Sequence, residues 1–339
     1  MHKTIEDIAK LANVNNSTVS RALNNNPRIS EETRRKILKI ADELNYTPNN
    51  IARSLKNKKT QTVGLVLHTI TNPYWSELLK DIEETMYRNN QDMILFFSGH
   101  KDDREAAYME LLMKRKVDGA LITLMPTSHP ENFIERLEKL KESKFPFVLI
   151  FGDANISCNC VSFNHFWGEY LLVRHLISIG HKNICFPLGS LEPVPNVQKM
   201  EGYKKALAES NIEFNPGLII RSDLSKIPET IDSILKINPR PTVISAVDDN
   251  MAMAYWRELN SRGIRVPEDI AITGFYDIKY LAHMKFPLTT VKLSTATLSE
   301  ESIKLLLENI ENPDMQYKKI VIEPELVIRE SCGAKLVNK

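Results

Sequence analysis

The stretch Thr4-Ile-Glu-Asp-Ile-Ala-Lys-Leu-Ala12, followed by Ser17-Thr-Val-Ser-Arg-Ala-Leu23, decides the fold of the amino-terminal domain. Apolar residues recur at helical spacing in both stretches, and Thr4 is placed to cap the first helix. Asn13 lies between them, where a tight turn needs a left-handed residue and asparagine tolerates that conformation. The pattern predicts two short helices joined by a tight turn.

A third helix follows these two. After a break at residues 24–27, Ser30 is placed to cap it, and Pro48 lies beyond its end. The second helix begins at Asn15 or Asn16. Its polar outward face consists of Asn16, Ser17, Thr18, Ser20 and Arg21. Two short helices braced by a third form a helix-turn-helix, whose second helix enters the major groove of DNA. The same periodicity is also typical of an ordinary three-helix bundle with polar solvent faces.

Charge is divided unevenly along the chain. The 339 residues carry a net charge of only +1, but residues 1–59, the basic head, hold 12 Lys/Arg against 6 Asp/Glu. Residues 60–339, the acidic body, hold 32 Lys/Arg against 37 Asp/Glu. A basic head can bind nucleic acid through the phosphates, although a solvated basic face is the commoner meaning of such a bias. At this length two or three domains are expected.

Composition excludes several classes of protein. No apolar run approaches the roughly 18 residues that span a bilayer, and the charged start is unlike a signal peptide, so we expect a cytoplasmic location. The four cysteines give no disulfide framework. Cys158-Asn-Cys160 has no second pair at zinc-ligand spacing, so we expect buried, reduced thiols and no metal site.

In the acidic body, short apolar runs alternate with helical stretches. A first series runs from a strand at 62–68 to a strand at 146–152, and a second from a helix at about 165–179 to a strand at 269–275. This alternation predicts βαβ units, parallel sheets and two similar lobes. The sequence contains no Walker loop, glycine-rich dinucleotide turn, nucleophile elbow or His-Glu-x-x-His. We therefore expect no enzymatic activity and no cofactor.

The first 60 residues resemble the lactose/galactose repressor (LacI/GalR) family of bacterial transcription factors. The resemblance rests on residues 4–12 and 17–24, Ser30-Glu-Glu-Thr-Arg, Leu44-Asn-Tyr-Thr-Pro48-Asn and Ala52-Arg-Ser-Leu55. In that family a hinge helix forms against DNA after the third helix, and its central leucine enters the minor groove. The resemblance places this leucine at Leu55. Residues 49–59 are too short and polar to fold unaided, and an apolar wedge recovers the ordering cost by kinking DNA.

The resemblance also implies the residues that contact DNA. They are Thr4, Asn15, Asn16, Ser17, Thr18, Ser20, Arg21, Asn24, Asn50, Ala52, Arg53, Leu55 and Lys56. Two positions depart from the family, which usually has glycine at Asn13 and serine at Asn15. Both asparagines can serve the same conformational or capping role.

The acidic body resembles the same family more loosely, through segments such as Asn72-Pro-Tyr-Trp, Gly202-Tyr-Lys-Lys-Ala-Leu and Pro287-Leu-Thr-Thr-Val. The resemblance implies an all-α helix-turn-helix domain followed by an α/β body similar to a periplasmic sugar-binding protein, with two Rossmann-like lobes of parallel strands and a ligand in the cleft. The chain is expected to cross between the lobes near 159–162, 288–291 and 320–324. The implied segments are the helix-turn-helix domain at 1–48, the hinge helix or linker at 49–59, the N-terminal lobe at 60–160 and 290–321, the C-terminal lobe at 161–289 and 322–332, and the tail at 333–339.

Candidate ligand residues lie where the predicted strands end. Trp75 is expected to stack on a sugar or base ring. Asp249 matches a family carboxylate that accepts hydrogen bonds from ligand hydroxyls, and it can also cap its helix. Lys199 lies where the family usually carries a bidentate arginine, and a lysine is only a point donor. The full set of effector-binding candidates is Tyr74, Trp75, Asp102, Asp153, Asn164, Lys199, Asp223 and Asp249.

The sequence therefore predicts a transcriptional repressor that binds a near-palindromic operator as a homodimer and responds to a sugar-like small molecule. The alternative is a cytoplasmic receptor or metabolic enzyme with an incidental basic head. After a last strand at 320–328, residues 329–339 lack the heptad repeat of tetrameric relatives, so we expect the dimer to form through the lobes. Five apolar residues are candidates for its two-fold axis, and core packing within each lobe is the competing use for them: Leu78, Leu79, Ile82, Leu281 and Met284.

We predict that Leu55→Ala weakens binding to the operator by roughly tenfold or more while binding to random DNA changes little, because the bend and the ordered hinge belong to the specific complex. Titrations of both DNAs at one salt concentration measure the two affinities. Equal losses on both DNAs would contradict the assignment of Leu55 as the wedge.

Overall fold

The computed structural model divides the chain into two compact units, residues 1–60 and 61–339. The residues that it describes are 4–23, 25–44, 46, 59–99, 101–114, 117–123, 130–151, 157–189, 194–283 and 287–334.

The basic head contains the three predicted helices, α1 (Ile5–Ala12), α2 (Asn16–Leu23) and α3 (Glu31–Glu43). Thr4 caps α1 as predicted: its hydroxyl accepts a hydrogen bond from the backbone N–H of Asp7, and the Asp7 carboxylate accepts one from the backbone of Thr4. Asn13 ends α1 with a φ of 57°, which confirms the predicted left-handed turn. Ile8, Val19 and Ile37, one from each helix, are fully buried and form the centre of a small core.

The acidic body alternates strands and helices, as predicted. Its strands are β1 (Thr62–Leu67), β2 (Asp92–Phe97), β3 (Gly119–Thr123), β4 (Phe147–Ile150), β5 (Cys160–Phe163), β6 (Ile184–Leu188), β7 (Ile219–Arg221), β8 (Val243–Ser245), β9 (Ala271–Thr273), β10 (Thr290–Lys292), β11 (Lys319–Ile322) and β12 (Glu325–Val327). Its helices are α4 (Pro73–Arg88), α5 (Asp102–Lys114), α6 (Pro130–Glu142), α7 (His165–Ser178), α8 (Val194–Glu209), α9 (Ile227–Leu235), α10 (Asp249–Ser261) and α11 (Thr295–Glu311).

Six parallel strands form the sheet of the N-terminal lobe, in the order β11-β5-β4-β3-β1-β2. α11, which lies beyond the two predicted series, packs against α4 and against β3, β4 and β5. β5 continues to Phe163, past the lobe boundary that we expect at residue 160. The predicted strand at 320–328 is two strands, because Pro324 cannot donate a ladder hydrogen bond.

Four parallel strands form the sheet of the C-terminal lobe, in the order β7-β6-β8-β9. β10 and β12 form a separate antiparallel pair outside these two sheets. α7 and α8 pack closely because position 202 is a glycine: a Cβ there would lie 2.2 Å from the carbonyl oxygen of Phe166. This close approach fixes the helix that carries Lys199.

The apolar face of α4 lies inside the lobe. Leu78 and Ile82 are fully buried and Leu281 is 3% exposed, so the prediction that these three face a second copy is wrong. Leu79 packs partly buried against the same core, and Met284 lies outside the described residues. The face is covered instead by α11, a helix that the sequence prediction did not include.

All four cysteines are buried thiols outside any disulfide, as predicted. In the described part of the chain, no helix is both long and apolar enough to cross a membrane.

Candidate functional site

The polar face predicted for α2 is present in the basic head. Asn15, Asn16, Ser17 and Arg21 are exposed, while Thr18 and Ser20 are half-buried. The hydroxyl of Thr4 is committed to capping α1. The other DNA-contact candidates lie outside the described residues: Asn24, Asn50, Ala52, Arg53, Leu55 and Lys56.

Two cations of the basic head stabilise its fold. Lys36 donates to the carbonyl oxygen of Ala12 at 2.9 Å, at the carboxyl end of α1. Arg34 donates to the carbonyl oxygen of Asn26 at 2.9 Å and pairs with Glu31. Part of the positive charge that the sequence suggests for DNA binding is therefore structural.

In the N-terminal lobe, aromatic side chains gather at the carboxyl ends of β1 and β4. Asn72 caps α4 and Pro73 begins it, which directs Tyr74 and Trp75 from the first turn. Tyr74 is buried, and Trp75 is half-buried with its ring 4.4 Å from that of His68. Phe151, just after β4, lies 5.1 Å from the Trp75 ring.

Two aromatic residues of the C-terminal lobe face this cluster. Phe275 and Tyr276 follow β9, and the Tyr276 ring lies 4.7 Å from the ring of Tyr74. His165, at the start of α7, stacks on Phe275 at 6.0 Å and lies 5.9 Å from Phe151. Aromatic contacts therefore join the lobes at the carboxyl ends of their parallel strands, where such sheets bind ligands.

Lys199 lies beneath these rings and is 1% exposed. Its ammonium donates to the carbonyl oxygen of Val247 at 2.6 Å and lies 3.7 Å from the centre of the Phe275 ring. Burial lowers the pKa of Lys199, and the negative charges of Glu169, Asp248 and Asp249 oppose that shift.

Asp249 is also buried, but it does not cap its helix. Asp248 caps α10 by accepting from the backbone of Met251, which corrects the capping role considered for Asp249. The Asp249 carboxylate accepts from the Thr290 hydroxyl at 2.6 Å and from the backbone of Ile278 at 2.8 Å. Burial raises the pKa of Asp249 to about 7.

The structure places the remaining ligand candidates differently. Asn164 caps α7 and donates to Glu323 at 3.1 Å. Asp223 is exposed and accepts from the backbone and hydroxyl of Ser225, which lowers the pKa of its carboxyl. Asp102 is half-buried and begins α5. Asp153 lies outside the described residues.

Tyr74, Lys199 and Asp249 are candidates that meet around Tyr276. Trp75 joins them, because its ring lies 5.8 Å from the ring of Tyr74. The Lys199 ammonium lies 5.0 Å from the Tyr276 ring. Burial raises the pKa of the Tyr276 hydroxyl, and the charges of Asp248 and Asp249 raise it further. Sequence reasoning missed several members of this cluster: Phe151, His165, Glu169, Phe275 and Tyr276. The available signal was their position, because each follows a strand or lies in the first turns of α7.

The cluster offers aromatic faces and unsatisfied polar atoms. The Tyr74 hydroxyl and the Glu169 Oε2 atom are buried and have no hydrogen-bond partner among the described residues. Aromatic faces stack on the apolar side of a ring, and unsatisfied oxygens accept hydroxyl hydrogens. The arrangement is suited to binding a small hydroxylated ring.

Known proteins share both parts of this chain. Residues 4–49 match the family described as bacterial regulatory proteins, lacI family, and residues 173–332 match the periplasmic binding protein-like domain. The ribose operon repressor of Haemophilus influenzae is 33% identical in sequence to this chain, and the match covers 97% of this chain and 98% of that repressor.

Solved structures agree with the fold. The structure of the transcriptional regulator CelR in complex with cellobiose has a TM-score of 0.71 and 26% sequence identity to this chain. The match covers 97% of this chain and 100% of the CelR chain. The structure of the Lac repressor dimer bound to operator and the anti-inducer ONPF has a TM-score of 0.84 and 22% sequence identity. The match covers 98% of this chain and 99% of the Lac repressor chain.

Fold and site together define a class: a helix-turn-helix DNA-binding domain with a periplasmic-binding-protein-like body. The chain belongs to the lacI family of bacterial regulatory proteins, and it is a DNA-binding transcriptional repressor.

We predict that Asp249→Asn changes how stability depends on pH. The pKa of Asp249 is raised from its ordinary value of 3.8 to about 7, so the folded state binds this proton more tightly than the unfolded state. Its contribution to the free energy of unfolding therefore falls as pH rises from about 4 to about 7, by up to about 4 kcal/mol. Urea unfolding of wild type and variant between pH 4 and pH 8 measures the difference.

Asp223→Asn is the matched control. The pKa of Asp223 is lowered. The difference in the free energy of unfolding between Asp223→Asn and wild type should therefore stay constant above about pH 4. A difference for Asp249→Asn that is equally constant from pH 4 to pH 7 would contradict the account.

Proposed function

We propose that this repressor binds a near-palindromic operator as a homodimer in the cytoplasm, and that a sugar-like small molecule in the interlobe cleft controls it. It uses no cofactor. The observation that supports this proposal is a combination of two features in one chain. The head has an exposed polar face on α2, and the body has a cluster of aromatic rings and unsatisfied polar atoms.

The head is suited to reading bases. Asn16 and Ser17 lie in the first turn of α2 and are exposed, so their short side chains can reach base edges in the major groove. Arg21 is exposed near the end of the helix, where it contacts a base edge or a phosphate. Asparagine forms two hydrogen bonds with adenine, which makes Asn16 the stronger candidate for specificity.

A homodimer requires apolar surface that the lobe core does not use. β2 is an edge strand of the six-stranded sheet, and Leu95 on it is 40% exposed. Ile70 lies three residues after the end of β1, the strand that pairs with β2, and it is 42% exposed. An apolar edge strand is a template for association, so we place the dimer contact here instead of on the buried face of α4.

The two lobes are coupled through the cleft. Tyr276 contacts Tyr74 across the lobes, and Lys279, three residues on, forms an ion pair with Glu77 on α4. A ligand that enters between these rings changes the relative stability of the lobe arrangements. It regulates only if it binds one of these arrangements more tightly than the other.

The sugar-like effector is supported by the site and by relatives. A relative is named ribose operon repressor, and a structural neighbour holds cellobiose. In this chain, Trp75 offers a half-buried ring, and Glu169 offers an unsatisfied carboxylate oxygen.

We predict that Asn16→Ala relaxes base preference by about 1–3 kcal/mol at two symmetry-related positions, because a homodimer places Asn16 in both half-sites. Selection from a randomised DNA library with wild type and variant measures preference at each position. Ser210→Ala, on the C-terminal lobe, is the control and should leave preference unchanged.

Relaxation at one position only would contradict the homodimer, and an unchanged preference everywhere would remove Asn16 from the reading surface. A wild-type protein that selects no sequence would contradict the proposed function.

A further inference from the structure

Glu169 is a completely buried carboxylate in the ligand cluster. It lies on α7, and its Oε1 atom accepts a hydrogen bond from the Ser245 hydroxyl at 2.9 Å, at the end of β8. Its Oε2 atom is buried without a hydrogen-bond partner among the described residues. A buried acceptor without a donor is costly, and a ligand hydroxyl can supply the missing hydrogen bond.

The Lys199 ammonium already interacts with acidic groups of the C-terminal lobe. The charges of Glu169, Asp248 and Asp249 act on it and oppose the lowering of its pKa by burial. The ammonium itself is held by the Val247 carbonyl oxygen and the Phe275 ring. Lys199 is therefore poorly placed to receive an anionic ligand.

Other cations beside the cluster are also engaged with carboxylates. Arg329 donates to Asp277 at 2.7 Å, and Lys279 pairs with Glu77. An anion that enters the cleft therefore meets cations that are already paired. Each carboxyl group of the site that is ionised repels the anion, and this repulsion is strong where water is scarce.

We propose that Glu169 is a specificity-determining residue that selects a neutral, hydroxyl-rich ring and disfavours sugars that carry a phosphate or carboxylate. This inference rests on the proposed function, because it concerns the effector of the same cleft. Glu169 acts in two ways: Oε2 accepts a ligand hydroxyl, and the ionised carboxylate repels an anion. A neutral sugar gains the hydrogen bond without repulsion, whereas a sugar phosphate meets the repulsion as well.

The test uses the full-length protein and matched pairs of compounds. D-ribose, D-glucose and cellobiose are compared with ribose 5-phosphate, glucose 6-phosphate and cellobionic acid by thermal shift and titration calorimetry. We expect at least one neutral sugar to bind about tenfold or more tightly than its charged counterpart. In Glu169→Gln the ratio of the two affinities, neutral sugar over charged counterpart, should fall by about tenfold, and the affinity for the neutral sugar should fall as well.

Glu105→Gln is the matched control. Glu105 is 1% exposed, has an unpartnered Oε2 atom and pairs with Arg136, but it lies between α5 and α6 of the N-terminal lobe. It should leave the ratio unchanged. The wild-type comparison stands by itself if Glu169→Gln fails to fold.

Tighter binding of a charged compound by wild type would overturn the inference and leave the proposed function intact. An equal ratio in Glu169→Gln and Glu105→Gln would overturn the role of Glu169. If none of the six compounds binds while operator binding persists, the sugar-controlled part of the proposed function fails, and this inference fails with it.

Discussion

The contact between the Tyr74 and Tyr276 rings joins the two lobes at the point where the ligand candidates meet. Tyr276 has a φ of 104°, a backbone conformation that favours glycine, and its N–H donates to the carbonyl oxygen of Val291 at 2.7 Å. A strained residue persists where its surroundings hold it, and such residues concentrate at functional sites. Lys199 and Asp249 are positioned around this residue, so the geometry of the cleft depends on it.

The cleft also depends on glycine at position 274. A Cβ there would lie 2.2 Å from the Asp249 Oδ1 atom, which accepts from Thr290. This hydrogen bond ties α10 to β10, the strand before α11, and α11 packs on the sheet of the N-terminal lobe. The polar group that was expected to bind ligand is therefore also part of the connection between lobes. A ligand that contacts the Asp249 carboxylate therefore also affects its hydrogen bond to Thr290.

Local signals predicted much of the fold. Thr4 and Ser30 cap their helices, Asn13 is left-handed, and the alternating strands and helices of the body appear within a few residues of their predicted bounds. These features depend on residues close in sequence, which periodicity and capping rules describe. The lobe boundaries are a further expectation of this kind.

Features that depend on distant residues were harder to predict. Leu78 has the apolar pattern of an interface or a core, and only the packing of α11 against α4 decides for the core. The Glu169–Ser245 hydrogen bond joins residues 76 positions apart, and neither has a sequence motif. Hydropathy patterns describe which residues are buried, but they do not show which polar groups meet inside.

We propose that the cleft and the DNA-binding surface are thermodynamically coupled. Linkage requires that an effector change operator affinity by the same factor by which the operator changes effector affinity. The most direct measurement is the operator dissociation constant with and without saturating sugar, together with the sugar dissociation constant with and without operator. The account predicts equal factors of about 5–150 in the two measurements. An operator affinity that does not change at saturating sugar would contradict it.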